Sequence, residues 1–132
     1  MSEENVEILR RGHEAFREGG EQAIYEYLDP DIELTAIEEL PGNETHYGHA
    51  GVHDWFQTLR EAFGDFTWEP QEYVDLGEHV LIATRFIAEG LGSGVPVEVT
   101  VYNLWTVRQG KAVQIRGYLN REDALAVAGS GD

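Results

Sequence analysis

Apolar side chains recur at helical spacing near the beginning of the chain and again in its middle. The first stripe consists of Val6, Leu9, His13 and Phe16, and the second of Val52, Trp55, Phe56, Leu59 and Phe63. Residues three or four apart share one face of a helix, so the stripes predict helices that end at Gly19-Gly20 and that span about 48–63. A shorter helix is expected at 21–28, before Asp29-Pro30.

Alternating apolar and polar positions predict strands elsewhere. Residues 32–36 form a half-buried strand by this pattern, and the following stretch ELPGNETHYG has the composition of a loop. Four further strands are predicted in FTWEPQEYVDL, HVLIATRFIAEG, PVEVTVYNLWTVR and KAVQIRGYL. Glycine-containing turns separate these four segments, which is typical of hairpins. A last helix is expected at 121–127, with Asn120 as its N-cap.

This order of elements indicates an α+β fold, because helices come first and a run of adjacent strands follows. We expect a bent antiparallel sheet of the four later strands and strand 32–36, with the three earlier helices on its concave side. A curved sheet wrapped around helices leaves an internal pocket, where small-molecule sites commonly lie. Residues 1–129 are expected to form a single domain, and residues 130–132 a flexible tail.

Charge and composition narrow the classes of partner. The chain has 132 residues, a formal net charge of −16 and no cysteine. Such a surface repels phosphate backbones and anionic lipids, so neither nucleic-acid nor membrane binding is expected. Disulfides, thiolate metal sites and a cysteine nucleophile are excluded. The N-terminal segment lacks the pattern of a signal peptide, and a cytoplasmic location is expected.

Five segments together resemble the SnoaL-like branch of the nuclear-transport-factor-2-like (NTF2-like) superfamily. They are AFREGG, LDPDIEL, GHAGVHDWFQTLREAF, GLGSGVPVEVTVYNLWTVRQGK and IRGYLNREDALAVAG, in the expected order. The resemblance implies a cone-shaped fold with an internal pocket and, often, pairing of subunits through the sheet. The superfamily includes polyketide cyclases, ketosteroid isomerases, epoxide hydrolases, dehydratases and members without a known reaction, so the resemblance does not specify an activity.

The ketosteroid isomerases provide an informative contrast. The resemblance places their catalytic Tyr, their Asp base and their protonated Asp at Gly12, Ala36 and Asn103 of this chain. Glycine and alanine cannot transfer a proton, whereas Asn103 can still donate a hydrogen bond to an oxyanion. Steroid-type isomerase chemistry is therefore not expected.

His13 and Asn103 are the candidate catalytic residues. Asn103 is the polar exception in an apolar row that runs from Val97 to Val107, and His13 interrupts the apolar stripe of the first helix. A histidine can act as a general base near neutral pH, and a buried amide needs a hydrogen-bond partner. The alternative for Asn103 is a purely structural hydrogen bond to His13 or to the backbone, and the alternative for His13 is a satisfied core histidine.

Further residues are candidates for contact with a substrate. They are Tyr25, Glu38, Trp55, Phe56, Val101 and Trp105. Either Tyr25 or Tyr27 can bring a phenol to the mouth of the pocket as a hydrogen-bond donor, and the alternative is ordinary aromatic packing. For Glu38, the alternative is a solvated loop carboxylate. Trp55 and Phe56 also fit an ordinary core, against which a ligand can lie.

A metal site is one interpretation of His46, His49 and His53. His49 and His53 are four residues apart on one side of a predicted helix, but the HEXXH signature of zinc proteases is absent. We interpret these histidines as solvated residues near a helix start, and we expect neither a metal nor a cofactor.

Three functional hypotheses remain open. The first is a pocket protein that acts on a small, apolar, carbonyl-bearing molecule by proton transfer, in the manner of a cyclase or isomerase. The second is a non-catalytic carrier or sensor of such a molecule, and the third is an interaction module. In each case a homodimer is expected through the sheet face that bears Gln114, Arg116 and Tyr118.

Overall fold

The computed structural model of the chain describes residues 2–129, and the predicted flexible tail at 130–132 lies outside these residues. In chain order the elements are helix α1 (Ser2–Gly19), a 3₁₀-helix (Glu21–Tyr27), strand β1 (Leu28–Thr35), strand β2 (Thr45–Tyr47), helix α2 (Gly48–Phe63), strands β3 (Phe66–Leu76), β4 (His79–Glu89), β5 (Pro96–Arg108) and β6 (Lys111–Tyr118), and helix α3 (Arg121–Gly129). Within residues 2–129, no helix is both long and apolar enough to cross a membrane.

The strands form one curved, unclosed sheet in the order β2-β1-β6-β5-β4-β3, which confirms the predicted α+β fold. Four neighbouring pairs are antiparallel, but β1 and β6 are parallel. The expectation of an entirely antiparallel sheet was therefore wrong at this pair. The chain leaves β1 and returns to it as β6 only after α2 and the β3-β4-β5 meander, and such a long crossover allows parallel pairing.

The region around β1 differs from the prediction in two further respects. The strand begins at Leu28 and not at Ile32, so the preceding helix is one 3₁₀ segment that ends at Tyr27. In addition, β2 lies inside the stretch predicted to be a loop, and it pairs with β1 in antiparallel register. The hydroxyl oxygens of Thr35 and Thr45 are 2.9 Å apart, which links the two strands through their side chains as well.

Helices α1 and α2 and the 3₁₀-helix cover the inner face of the sheet, as predicted. In α1, Leu9 packs against Val80, Ile82 and Val107 of β4 and β5. In α2, a buried group of side chains packs against β1 and β6, namely Val52, Trp55, Phe56 and Leu59. The amphipathic stripes of both helices are thus the surfaces that bury the inner face.

Helix α3 lies on the opposite, outer face of the sheet. Ala124 of this helix is buried against Leu81 and Leu104, whose side chains point away from the inner face. Asn120 caps the helix as predicted, because its Oδ1 accepts a hydrogen bond from the backbone N–H of Asp123 at 2.9 Å. The sheet therefore carries helices on both faces, with the larger helical layer inside.

Part of the face predicted to form a dimer is occupied within the subunit. Tyr118 packs in the cluster beneath α3, and the side-chain amide of Gln114 donates a hydrogen bond to Glu33 at 3.1 Å. Arg116 follows the same alternation on this face. Any contact between subunits through this face has to be made around Gln114 and Arg116, beside α3.

Homodimer formation through this face stays a prediction. We expect analytical ultracentrifugation at micromolar concentration to give twice the mass of one 14.8 kDa chain. The measurement belongs at physiological salt or above, since a net charge of −16 per chain opposes association at low ionic strength. A mass near that of one chain under these conditions would show that the protein is monomeric.

Candidate functional site

A cavity of about 110 Å³ lies between the helical layer and the inner face of the sheet. An engineered cavity of about 150 Å³ binds benzene in another protein, so this volume suits a small organic molecule. Its wall is formed by Leu9, Gly12, His13, Phe16, Ile24, Tyr27, Leu28, Leu34, Thr35, Ala36, Ile37, Leu40, Val52, Trp55, Phe56, Trp68, Thr84, Val101, Asn103, Trp105 and Ile115.

Most of the candidate residues from the sequence meet in this wall. His13 and Asn103 line the same cavity, one from α1 and the other from β5. The substrate-contact candidates that also line it are Trp55, Phe56, Val101 and Trp105. The structure thus brings together six of the eight predicted residues.

Tyr25 does not belong to the wall formed by the described residues. Its hydroxyl group donates a hydrogen bond to Glu21, and its ring centroid lies 5.0 Å from that of His49. Ile24 and Tyr27 from the same short helix line the cavity instead. The turn of the 3₁₀-helix directs the Tyr25 side chain towards α2, a position that matches the alternative of aromatic packing.

Glu38 also lies away from the wall that residues 2–129 form. It is exposed in the turn that follows β1, and its backbone carbonyl accepts a hydrogen bond from Asn43 at 3.0 Å. Ile37 and Leu40, on either side in sequence, are buried and line the cavity. The exposed position of Glu38 agrees with the alternative interpretation, a solvated loop carboxylate.

The protonation state of His13 follows from its contacts. Its Nδ1 atom lies 2.9 Å from the carbonyl oxygen of Leu9, and since a carbonyl only accepts, Nδ1 carries the hydrogen. Burial lowers the pKa of His13, and the nearby Arg17 lowers it further, while the hydrogen bond to Leu9 opposes them. The imidazole is therefore neutral at pH 7, and its Nε2 atom has a free lone pair with which it can take a proton.

The side-chain amide of Asn103 has no hydrogen-bond partner among the described residues, and in particular His13 bonds to Leu9 and not to it. Asn103 pairs in register with Gly117 of β6. A Cβ atom at Gly117 would lie 3.2 Å from Oδ1 of Asn103 and 3.1 Å from the side chain of Ile37. The glycine thus provides the space that the amide occupies at the cavity wall.

Three more polar atoms in the wall lack a partner. The indole Nε1 atoms of Trp55 and Trp105 and the hydroxyl oxygen of Thr84 are buried without a hydrogen bond to any described residue. No pattern in the sequence marks these groups as unpaired. Thr84 can nonetheless be recognised in the sequence as a polar exception, because it lies in the inward-facing row of β4 with the apolar residues Ile82 and Phe86.

The wall carries no carboxylate, ammonium or guanidinium group from the described residues. Gly12, Ala36 and Asn103, the positions at which ketosteroid isomerases were expected to place their catalytic groups, all line the cavity. Gly12 has no side chain and Ala36 has only a methyl group, so neither residue can transfer a proton. The proton-transfer capacity of the wall therefore rests on His13, with the phenol of Tyr27 as its other ionisable side chain.

A groove between α1 and β3 adjoins the cavity. His13, Phe16 and Trp68 line both spaces, so these three side chains separate the cavity from the groove. On the groove side, the guanidinium of Arg10 lies 4.6 Å from the ring centroid of Tyr73.

A polar network outside the cavity holds the 3₁₀-helix against α2. Glu21 is only 8% exposed, and its carboxylate accepts hydrogen bonds from Tyr25, from His53 Nδ1 at 2.7 Å and from Arg60 Nη2 at 2.8 Å. Burial alone would raise the pKa of Glu21, but the three hydrogen bonds together lower it below its ordinary value. The network anchors the helix that supplies Ile24 to the wall.

The three histidines considered as metal ligands bind separate acceptors. Nε2 of His46 lies 3.0 Å from the carbonyl oxygen of Gly42, and Nε2 of His49 lies 2.9 Å from that of Leu28. His53 belongs to the Glu21 network. Their interpretation as solvated residues was too simple, because His49 and His53 tie α2 to its neighbours and His46 ties β2 to the loop before it.

Replacing Glu21 by Gln should lower the free energy of unfolding at pH 7 by about 1–3 kcal/mol, since charge-assisted hydrogen bonds to His53 and Arg60 are lost. The folded-state pKa of Glu21 is depressed, so its stabilising effect is present above the unfolded pKa and disappears as the pH falls through the folded one. In urea titrations, the difference from the wild type should begin to shrink below about pH 4.3, the ordinary pKa of a glutamate, and should close only below the lowered pKa of the folded state.

Glu26→Gln is the matched control, because Glu26 lies exposed on the same 3₁₀-helix. This variant should unfold like the wild type at pH 7. Equal stability of the Glu21→Gln variant and this control would contradict an anchoring role for the network.

The sequence matches the model of the SnoaL-like domain over residues 9–115. A search of functionally curated proteins gives no significant match. Among solved structures, an NTF2-like protein from Burkholderia xenovorans LB400 is 29% identical, with a TM-score of 0.77 and 97% of each chain covered. TerC co-crystallised with polyporic acid is 20% identical, with a TM-score of 0.78 and 96% of this chain and 98% of TerC covered.

A candidate SnoaL-like polyketide cyclase from Jannaschia sp. CCS1 is also 20% identical, with a TM-score of 0.72 and 99% of this chain and 94% of the other covered. At identities of 20%, these likenesses show the fold alone. The domain match spans most of the chain and coincides with the elements that enclose the cavity. The chain therefore belongs to the SnoaL-like family, within the NTF2-like fold.

Proposed function

We propose that the protein is a cofactor-independent proton-transfer enzyme that acts on a small, apolar, carbonyl-bearing molecule bound in the cavity. The observation that carries this proposal is a neutral His13 in the same wall as the unpaired amide of Asn103. In the proposed reaction, Nε2 of His13 removes a proton from the carbon next to the carbonyl. Asn103 then donates a hydrogen bond to the oxygen on which negative charge develops.

Family membership supports a reaction of this class without specifying it. One solved relative is a candidate polyketide cyclase, and another was crystallised with polyporic acid, so organic compounds occur among the ligands of this fold. The departure from the ketosteroid isomerase pattern at Gly12 and Ala36 gives the present chain a different proton-transfer group. We therefore propose cyclase, isomerase or hydrolase chemistry that starts from His13 and not from a carboxylate.

A non-catalytic carrier or sensor is the second candidate function. The small number of ionisable side chains in the wall favours it, because one imidazole and one phenol are few for an enzyme that works on carbon acids. An interaction module without a ligand is a third candidate, but a cavity of about 110 Å³ gives it little support.

His13→Gln should reduce catalysis of carbon-bound hydrogen exchange by about 100-fold. The substrates are cyclohexanone and 1,4-cyclohexanedione in D₂O, and NMR follows the loss of the proton signal next to the carbonyl. With wild-type protein the rate should fall as the pH drops below 6.5, because the pKa of His13 lies below that ordinary value and protonation removes the base. At higher pH, where His13 is neutral, the exchange rate should no longer change with the titration of His13.

His49→Gln is the matched control, since His49 bonds to the Leu28 carbonyl and does not line the cavity that residues 2–129 form. This variant should keep the wild-type exchange rate. Equal rates for His13→Gln and the wild type, or no exchange above the buffer rate, would rule out the catalytic role and leave the carrier.

Asn103→Leu should reduce the same exchange rate by about 100-fold while the melting temperature stays level or rises. The amide has no partner among the described residues, so its removal breaks no internal hydrogen bond. Thermal unfolding followed by circular dichroism checks the second part. A fall in melting temperature equivalent to about 1–3 kcal/mol would instead show that the amide is structural.

A further inference from the structure

The distribution of positive charge on the surface singles out the groove between α1 and β3. The chain has nine lysine and arginine residues, 25 acidic residues and a formal net charge of −16. Within residues 2–129, every arginine except Arg10, Arg17 and Arg116 forms an ion pair with a carboxylate. Two of these exceptions, Arg10 and Arg17, line the groove. The groove therefore departs locally from the negative charge of the surface as a whole.

Arg10 and Arg17 flank His13 on one face of α1. Positions seven apart in a helix share a face and are separated by about 10 Å along the axis, with His13 in between. Across the groove, on β3, the guanidinium of Arg10 lies 4.6 Å from the ring centroid of Tyr73. Burial raises the pKa of Tyr73, and Arg10 and Arg17 both oppose this rise, so the charges of both side chains act on the same ring. The two arginines thus produce one region of positive potential across the groove.

Between these charges the groove has an aromatic floor, which consists of Phe16 from α1 and of Phe66, Trp68 and Tyr73 from β3. Each of the four side chains is partly exposed. Because β3 is the last strand of the sheet that the described residues form, no further strand covers this side. The groove has a volume of about 760 Å³, within the range of small-molecule sites, roughly 300–1,000 Å³. Ring faces beside guanidinium groups suit a flat apolar molecule that carries a negative charge.

Two carboxylates at the rim reduce the positive charge without removing it. Glu14 is exposed and forms no ion pair with a described residue. Glu69 lies 3.5 Å from the guanidinium of Arg85, so part of its charge is already neutralised between β3 and β4. The charges of Arg10 and Arg17 therefore exceed the opposing charge that remains free in the groove.

The net charge of the chain restricts which anions can bind. At −16 the surface repels polyanions such as nucleic acids or acidic proteins, and this repulsion grows with the charge of the partner. A molecule with a single negative charge meets little of it at physiological salt, where the Debye length is about 8 Å. Carboxylates match the planar, forked geometry of the arginine side chain. A small organic monocarboxylate therefore fits both the local and the overall charge.

We propose that the groove between α1 and β3 is a second binding site, for a small aromatic or similarly apolar carboxylate, in which Arg10 and Arg17 bind the carboxylate and the aromatic floor supports the apolar part. This inference goes beyond the proposed function, because it requires neither catalysis nor a ligand in the cavity. His13 lines both spaces, so a ligand in the groove lies beside the imidazole that the proposed reaction uses.

The test compares 2-naphthoate with its neutral counterpart 2-naphthamide, and binding to the full chain is measured by isothermal titration calorimetry at physiological salt. Two fused rings exceed a cavity of about 110 Å³, since benzene occupies one of about 150 Å³ in another protein, so both probes report on the groove. We expect naphthoate to bind about 5-fold more tightly than naphthamide, because only naphthoate forms ion pairs with the arginines. Arg10→Gln and Arg17→Gln should each weaken naphthoate binding about 2- to 5-fold and leave naphthamide binding unchanged.

Arg11→Gln is the matched control, because Arg11 is exposed on the same helix but pairs with Glu7 and does not line the groove that residues 2–129 form. This variant removes the same charge from the chain and should leave naphthoate binding unchanged. Glu14→Gln should strengthen naphthoate binding about 2- to 5-fold, since a repelling carboxylate is lost. The preference of the wild type and the effect of Glu14→Gln test the proposal even if an arginine variant does not fold.

The titration of His13, followed through the ¹H NMR signals of its ring, gives a readout at the site itself. Burial lowers the pKa of His13, the hydrogen bond to Leu9 opposes this, and Arg17 lowers the pKa further. An anion bound at Arg17 offsets that positive charge and favours the imidazolium. The pKa of His13 should therefore be higher with bound naphthoate than with bound naphthamide, which covers the same rings and so controls for the effect of burial.

The proposal is wrong if naphthoate binds no more tightly than naphthamide, if Arg11→Gln weakens its binding as much as Arg10→Gln and Arg17→Gln do, or if neither probe binds up to its solubility limit. The hydrogen-exchange assay with cyclohexanone separates this result from the proposed function. Selective naphthoate binding to a protein that catalyses no exchange would refute the enzyme and keep the groove site. Exchange without naphthoate binding would do the reverse.

Discussion

The apolar rows of β4 and β5 are buried beneath α1 and α2, and this burial determines the environment of every polar group on the inner face. Leu9 packs on Val80 and Ile82, which are fully buried, and each such side chain contributes about 1.5–3 kcal/mol. The helices close over the curved sheet without filling the whole space between them. Polar atoms on this face therefore meet a small apolar cavity and not bulk water, which makes an unpaired donor costly and a matching ligand favourable.

The shape of the cavity depends on a helix too short to be stable alone. The 3₁₀-helix has seven residues, and short isolated helices are marginal in water. Its position comes from the buried carboxylate of Glu21, which holds it to His53 and Arg60 of α2. A charged network outside the cavity thereby fixes an apolar part of its wall.

The long, regular patterns of the sequence predicted α1, α2 and strands β3 to β6, because each presents two or more periods to the core. Strand β2 has only three residues, too few to show alternation, and the parallel pairing of β1 with β6 joins segments that are distant in the chain. In the site, His13 and Asn103 stood out as polar exceptions in apolar rows. Tyr25 was misplaced because a 3₁₀-helix turns every three residues, so that Ile24 and Tyr27 share its inner side. Whether an indole N–H finds a partner depends on tertiary neighbours, and no sequence pattern carries that information.

The burial that keeps His13 neutral also makes it a weaker base, since its pKa is lowered. In the proposed reaction, proton removal creates an imidazolium and an oxyanion together, so the cavity acquires no net charge and avoids the full cost of isolating one ion. The developing oxyanion then meets donors that had no partner beforehand, and hydrogen bonds to an ionised acceptor are roughly twice as strong as neutral ones. The unpaired amide of Asn103 thus favours the charged state over the neutral one, which offsets the weakness of the base. An apolar wall with few ionisable residues is in this way compatible with proton transfer, provided that the donors surround the oxygen and not the base.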